Sequence, residues 1–361
     1  MHSRSWLVSA LSRFTCRQRK QVLPDLKLNG RTIMNKFLKA AAIGGIASLF
    51  VAGGALAQVV GIASGQPGSL GHNSGQAVAK IANQEAGIIA RTQPLAGTSA
   101  YVPLINRGEM EFGFANAVEL GYALSGTGNW DGKKQPNLRL VGEMFPLRTG
   151  LMAADDLNIK NVADLKKMAG DLKIASEYTA SSIISFYIMG ILANGDMSYA
   201  DFKNVPVSNF VKGIQALGDG LVDVSLVSLN SGAGKKSNAQ LSGRGGLQYV
   251  SMDTSDAALA RFKDFMPAAS IITMKANPNI PGLIVGASIV EIPWMLFTHA
   301  DASDELVYKM TKVVAENNAK LGESFGAFKR GKPANMAPAH AMAYHPGALK
   351  YYAEAGIELG K

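Results

Sequence analysis

Three short loops carry the residues able to do chemistry in this chain. They hold Ser64, Gly68 and Ser69 within Ser64-Gly65-Gln66-Pro67-Gly68-Ser69, Gln93, Gly97 and Thr98 within 93–99, and Tyr178, Thr179 and Ser181 within 177–182. Each loop combines polar side chains with backbone N–H groups just before a stretch of helical periodicity. A helix N-terminus has unsatisfied N–H groups and a partial positive charge, so the chemistry on offer is the holding of a small polar or anionic group. Asn116, at the end of a strand-like segment, joins this set, as does Arg148. The Arg148 guanidinium is a candidate clamp for a carboxylate, through charge-assisted hydrogen bonds of about 1.5–3 kcal/mol each. Taken singly, each loop is equally a good helix cap, and Arg148 equally an exposed arginine.

Catalytic patterns are not found. Gly232-Ala233-Gly234-Lys235-Lys236-Ser237 misses a phosphate-binding loop, because Lys236 separates Lys235 from Ser237 and Leu229 stands at the first glycine position. Gly126 to Asp131 places an acid where a dinucleotide fingerprint needs its third glycine, and reads as a surface turn. His72, His299, His340 and His345 form no pair at metal-ligand spacing, and Ser69 and Ser74 lie in no nucleophile elbow. No catalytic residue, cofactor or metal is therefore predicted.

Open α/β sheets bind ligands beyond the carboxyl ends of their strands, so the elements must bring these loops there. Residues 59–63 read as a strand, 71–83 as a helix and 88–92 as a strand, and the pattern repeats with a helix through Ile105 and a strand at 112–115. A strand at 138–143 precedes Phe145-Pro146-Leu147-Arg148, read as a crossing to a second lobe. There, helices at 161–168, 183–192 and 210–217 alternate with strands at 172–175, 205–207 and 222–227. Residues 288–299 read as a strand returning to the first lobe, and Asp301 to Asp304 caps a helix with an apolar stripe from Leu306 to Leu321. The alternation predicts α/β architecture with parallel-rich sheets flanked by helices. Lobe 1 is expected to be 58–146 plus 291–361, and lobe 2 to be 147–290. Two lobes facing a cleft can enclose a solute.

Lys36 and Lys39 precede an uncharged Ala/Gly/Leu/Phe run ending in Ala55-Leu56-Ala57, the pattern of a signal peptide at 34–57. The run turns polar at once after Ala57, which favours cleavage over a spanning helix. Residues 1–33 are then an extension upstream of a start at Met34. The whole chain has 36 Lys and Arg against 27 Asp and Glu, but nine of the basic and one of the acidic residues precede Gln58. What remains is nearly neutral, which removes the bulk charge argument for nucleic acid. The single cysteine, Cys16, also lies in the N-terminal part, so the exported protein must be held by its core alone.

From Gly61 to Gly356 the sequence resembles the TAXI family of solute receptors of TRAP transporters. The resemblance rests on the Gly61 to Gly75 loop, Gln93-Pro94-Leu95-Ala96-Gly97-Thr98, Gly108-Glu109-Met110-Glu111, and Leu306-Val307-Tyr308-Lys309 with Thr311-Lys312. Its most specific part is His345-Pro346-Gly347-Ala348 with Tyr351-Tyr352 and Gly356. It implies a two-lobed type II periplasmic binding protein fold: a monomeric, non-enzymatic receptor in the periplasm. Such a receptor closes on a small carboxylate, glutamate or a related acid, and delivers it to an ion-driven TRAP membrane permease. A receptor for an ABC importer or a sensor kinase, or a secreted enzyme on the same scaffold, are the alternatives. His345 is read as structural. Tyr101, Glu177 and Tyr178 depart from the family pattern, and would add bulk and a negative charge to the pocket.

Overall fold

The structure is a computed structural model that describes residues 59–360. The expected extension at 1–33 and signal peptide at 34–57 lie outside the described residues. The first strands are β1 (Val60–Ser64), β2 (Ala90–Pro94) and β3 (Phe112–Asn116), interleaved with α1 (Leu70–Glu85), α2 (Thr98–Asn106) and α3 (Ala117–Ser125). β1 pairs in parallel with both β2 and β3. After β4 (Leu138–Ala154) come α4 (Val162–Met168), β5 (Lys173–Glu177), α5 (Ile183–Asn194), β6 (Lys203–Val207), α6 (Phe210–Gly218) and β7 (Val224–Ser228). Then follow α7 (Gly232–Gln240), β8 (Leu247–Tyr249), α8 (Asp256–Lys263), β9 (Ser270–Met274) and β10 (Ala287–His299). The chain closes with α9 (Asp304–Glu316), α10 (Asn318–Ser324) and α11 (Pro346–Ala355).

The strands form one sheet in the order β2-β1-β3-β10-β4-β7-β5-β6, with β8 on β4 and β9 on β10. Two long antiparallel strands, β4 and β10, therefore join two mostly parallel halves. The sequence pattern stops β4 near Glu143 because Pro146 lacks a ladder donor. The strand continues because Pro146 lies directly opposite Pro293 of β10, so both missing donors fall on one rung of the ladder. The lobe limits drawn at 146/147 and 290/291 thus lie inside these strands.

Local sequence explains the elements around the sheet. Ser69 Oγ accepts from His72 N (3.1 Å) to start α1, whose Val78, Ile81 and Ala82 are buried at helical spacing. The apolar stripe from Leu306 to Leu321 belongs to two helices, because the chain breaks at Asn317, whose side chain donates to Val313 O (2.9 Å). Gly232 to Gln240, rejected as a phosphate loop, is a helix capped by Ser231.

His345 is fully buried and starts α11: its Nδ1 accepts from Gly347 N (3.1 Å), while its own N–H donates to Leu140 O (2.9 Å). Its role is that of an N-cap, and burial holds its pKa below the usual imidazole value. His345→Ala is expected to cost about 1–3 kcal/mol through the lost cap and the vacated ring volume, with no effect on ligand affinity. Urea unfolding beside a binding isotherm checks both halves of that expectation.

Candidate functional site

Beyond the carboxyl ends of the strands, five helix N-termini converge on one cavity. α1 contributes Ser69, Leu70 and Gly71; α2 contributes Gly97 and Thr98; α3 contributes Asn116 and Glu119. From the other lobe come Ser181, Ile183, Ile184 and Tyr187 around α5, and Phe210 of α6. Leu147 and Thr149 of β4, Leu226 and Ser228 of β7, and Trp294 of β10 form the floor. Three of the N-termini are capped by side chains, through Ser69, Asn116 and Asn209, whereas α2 and α5 have no side-chain cap. The first turns of those two helices rely on other acceptors: Ser182 N donates to Ser99 Oγ, Ile184 N to Ser181 O and Ala100 N to Gly97 O.

The lobes are joined over this cavity. Gly68 O accepts from Ala233 N (3.1 Å) and from Ser231 Oγ (3.2 Å). Ser182 N donates to Ser99 Oγ (3.2 Å), Asn129 Nδ2 donates to Ser182 Oγ (3.3 Å), and Tyr122 Oη donates to Phe265 O (2.8 Å). Where Gly97 passes the 180–181 turn, a Cβ would lie 1.9 Å from Ser181 Oγ and 2.2 Å from Ala180 O. The two halves are in direct contact around the cavity.

One ionisable side chain of the lining stands out. Glu119 is 0% exposed, its Oε1 accepts from Asn129 Nδ2 (3.2 Å), and its Oε2 has no hydrogen bond of good geometry. Burial pushes its pKa up to about 7, against the pull of Thr98, Asn129 and Trp130. Tyr101 and Tyr187 face the same carboxyl, and burial together with its charge raises both phenols well above their ordinary value. Sequence reasoning missed Glu119 because Asn116-Ala117-Val118-Glu119 has the spacing of a capping box, which explains a Glu at the third helical position without a ligand. Here only the forward half of the box forms, Asn116 Oδ1 accepting from Glu119 N (2.8 Å), and Glu119 becomes part of the cavity lining. The turn at 126–131, expected at the surface, carries Asn129 and the buried Trp130 onto it.

Of the loop residues singled out in the sequence, Ser69, Gly97, Thr98, Asn116 and Ser181 line the cavity together. Others are placed elsewhere. Arg148 sits between Leu147 and Thr149, so strand alternation turns it to the opposite face, where its Nε donates to Glu291 Oε2 (2.8 Å). It is not positioned to clamp a ligand in the cavity. Gln93 is exposed on the edge strand β2, Thr179 is exposed, and Ser64 is buried against His72 Nδ1 (3.2 Å). Gly68 serves the inter-lobe contact. Glu177 and Tyr178 both have left-handed backbone (φ 67° and 49°), which drops the Tyr178 ring beneath α6, where its Oη bonds Ser225 Oγ (3.1 Å). Gly213 leaves room for that ring. Of the departures noted in the sequence, Tyr101 does line the pocket, whereas the negative charge comes from Glu119 and not from Glu177.

Solved structures share the architecture. PhnD1 from Prochlorococcus marinus, in complex with methylphosphonate, is similar over 83% of this chain and 99% of its own, at 10% identity and a TM-score of 0.51. MatC from Rhodopseudomonas palustris with bound malate is similar over 82% and 96%, at 13% identity and 0.51. A structure described as a periplasmic transporter is similar over 82% and 92%, at 12% identity and 0.52. At these identities the likeness is one of fold, the two-lobed type II periplasmic binding protein fold. Residues 62–356 match the NMT1-like family across both lobes, and the chain belongs to that family.

Proposed function

We propose that this protein is an extracytoplasmic solute receptor that binds one small molecule between its lobes, closes on it without chemical turnover, and passes it to a membrane permease of the TRAP type. One observation carries the reading. Both lobes line a single cavity and hydrogen-bond to each other over it, so a solute touching both stabilises the closed state over an open one. The uncapped N-termini of α2 and α5 favour a solute with a carboxylate or similar anionic group. Similar structures holding methylphosphonate and malate are consistent with a small anion in such a cleft.

A thermal-shift screen of the purified protein against amino acids, keto acids, dicarboxylates and sugars tests the reading. A ligand at 100 times its dissociation constant stabilises by about 2.7 kcal/mol. A shift with a carboxylate-bearing compound is the expected result, and no shift with any class sinks the receptor reading. Uptake by vesicles holding a TRAP permease and the receptor should then follow an imposed ion gradient and ignore ATP.

A further inference from the structure

The cavity wall holds an unusual set of polar atoms. Thr98 Oγ1, Glu119 Oε2, Tyr187 Oη and Trp294 Nε1 are all buried without a hydrogen bond of good geometry and belong to residues lining this one cavity, with Thr98, Asn129 and Trp130 the polar neighbours of the Glu119 carboxyl. Buried polar atoms are ordinarily paired, so this cluster beside a cavity is where a ligand's polar group has most to gain. Among the described residues, those lining the cavity include no Lys, Arg or His. The rest of the wall is largely apolar, with Leu147, Ile183, Ile184, Phe210 and Leu226.

That combination restricts the solute. An ionised carboxylate at Glu119 with nothing cationic near it is an unpaired buried charge, which is strongly disfavoured. A dicarboxylate would add two like charges to the same enclosed space. A nitrogen cation would do the opposite, neutralising Glu119 through a short charge-assisted bond while Tyr187 and Thr98 take its remaining protons.

We infer that Glu119 determines specificity, and that the cavity takes an amine-bearing solute with a largely apolar body whose nitrogen donates to the Glu119 carboxylate. The inference rests on the receptor reading and narrows it. An acid group on the same molecule remains compatible, held at the N-termini of α2 and α5, whereas a simple dicarboxylate is excluded.

The test is calorimetric titration of the purified full-length protein at pH 8 with matched compounds. Leucine and phenylalanine are compared with 4-methylpentanoate and 3-phenylpropionate, the same skeletons without the amine, with isoamylamine and phenethylamine, which lack the acid, and with malate. The amine-bearing compounds are expected to bind at least 100-fold more tightly than their des-amino partners and than malate. Glu119→Gln, checked for fold by circular dichroism, is expected to erase that preference. Equal binding of the des-amino acids by the wild type, or a preference that survives Glu119→Gln, overturns the inference and leaves the receptor reading standing. Binding of no compound in any series overturns both.

Discussion

Gly97→Ala is expected to weaken solute binding at least 100-fold, about 2.7 kcal/mol, while leaving the solute-free protein folded and nearly as stable as before. The reason is steric and specific to one conformation. Gly97 has extended backbone (φ 169°) that alanine adopts without strain. The added methyl carbon, however, would lie 2.2 Å from Ala180 O, a main-chain atom of the opposite lobe that no rotamer change can move away. Ordinary contact begins near 3.4 Å, so the lobes must stay apart by more than an ångström at this point. The Ser99–Ser182 bonds lie two residues further along the same contact and would be lost with it. An open protein does not feel the clash, so the substitution removes closure and little else. Titration of the cognate solute measures the loss, and small-angle scattering should show that ligand no longer compacts the variant. Gly121→Ala is the control: a Cβ there meets nothing within 4 Å, and affinity should be unchanged. Binding by Gly97→Ala within threefold of wild type would show that closure over this seam is not part of recognition.

The alternation of short strands and capped helices made the α/β architecture legible in the sequence, and with it the end of the sheet where the site lies. Five residues of the predicted set reached the cavity because loops at helix starts are defined by local signals: Ser69, Gly97, Thr98, Asn116 and Ser181. The rest depended on facts that single-segment reasoning does not contain. Arg148 looked like a clamp while the strand was thought to end near Glu143; once Pro146 is matched by Pro293 the strand runs on, and alternation fixes the guanidinium on the far face. Tyr178 looked like pocket bulk until two consecutive left-handed residues turned it under α6. Tyr187 and Trp294 lie deep in an apolar helix and strand, where core packing is the natural reading, and only tertiary structure shows that they line a cavity.

With Glu119 buried as it is in this structure, Glu119→Gln is expected to make the protein more stable at pH 8 by about 3 kcal/mol, roughly 5 °C in melting temperature, and to change little at pH 4.5. Burial raises this carboxyl from 4.5 to about 7 in the folded state. The neutral form is the one the fold prefers, so its contribution is fully present below pH 4.5 and is lost as pH rises through 7. Glutamine keeps the shape and never ionises, so the variant lacks that slope. Glu143 has the same direction, raised to about 7 by burial and by the nearby Glu291 charge, so the wild type carries two such slopes and the variant retains one. Chemical denaturation between pH 4.5 and 8 separates them, and an unchanged slope in Glu119→Gln would mean that the carboxyl is solvated or already paired. The same linkage distinguishes ligands. An ammonium group seated on Glu119 stabilises its ionised form and pulls its pKa down, so binding near pH 6 must release a proton from a carboxyl that was largely protonated beforehand. A solute that presents only an acid group to the cavity would drive the proton the other way. Titrations in buffers of different ionisation enthalpy read the sign directly, and proton uptake would exclude a cation at Glu119 whatever the affinity.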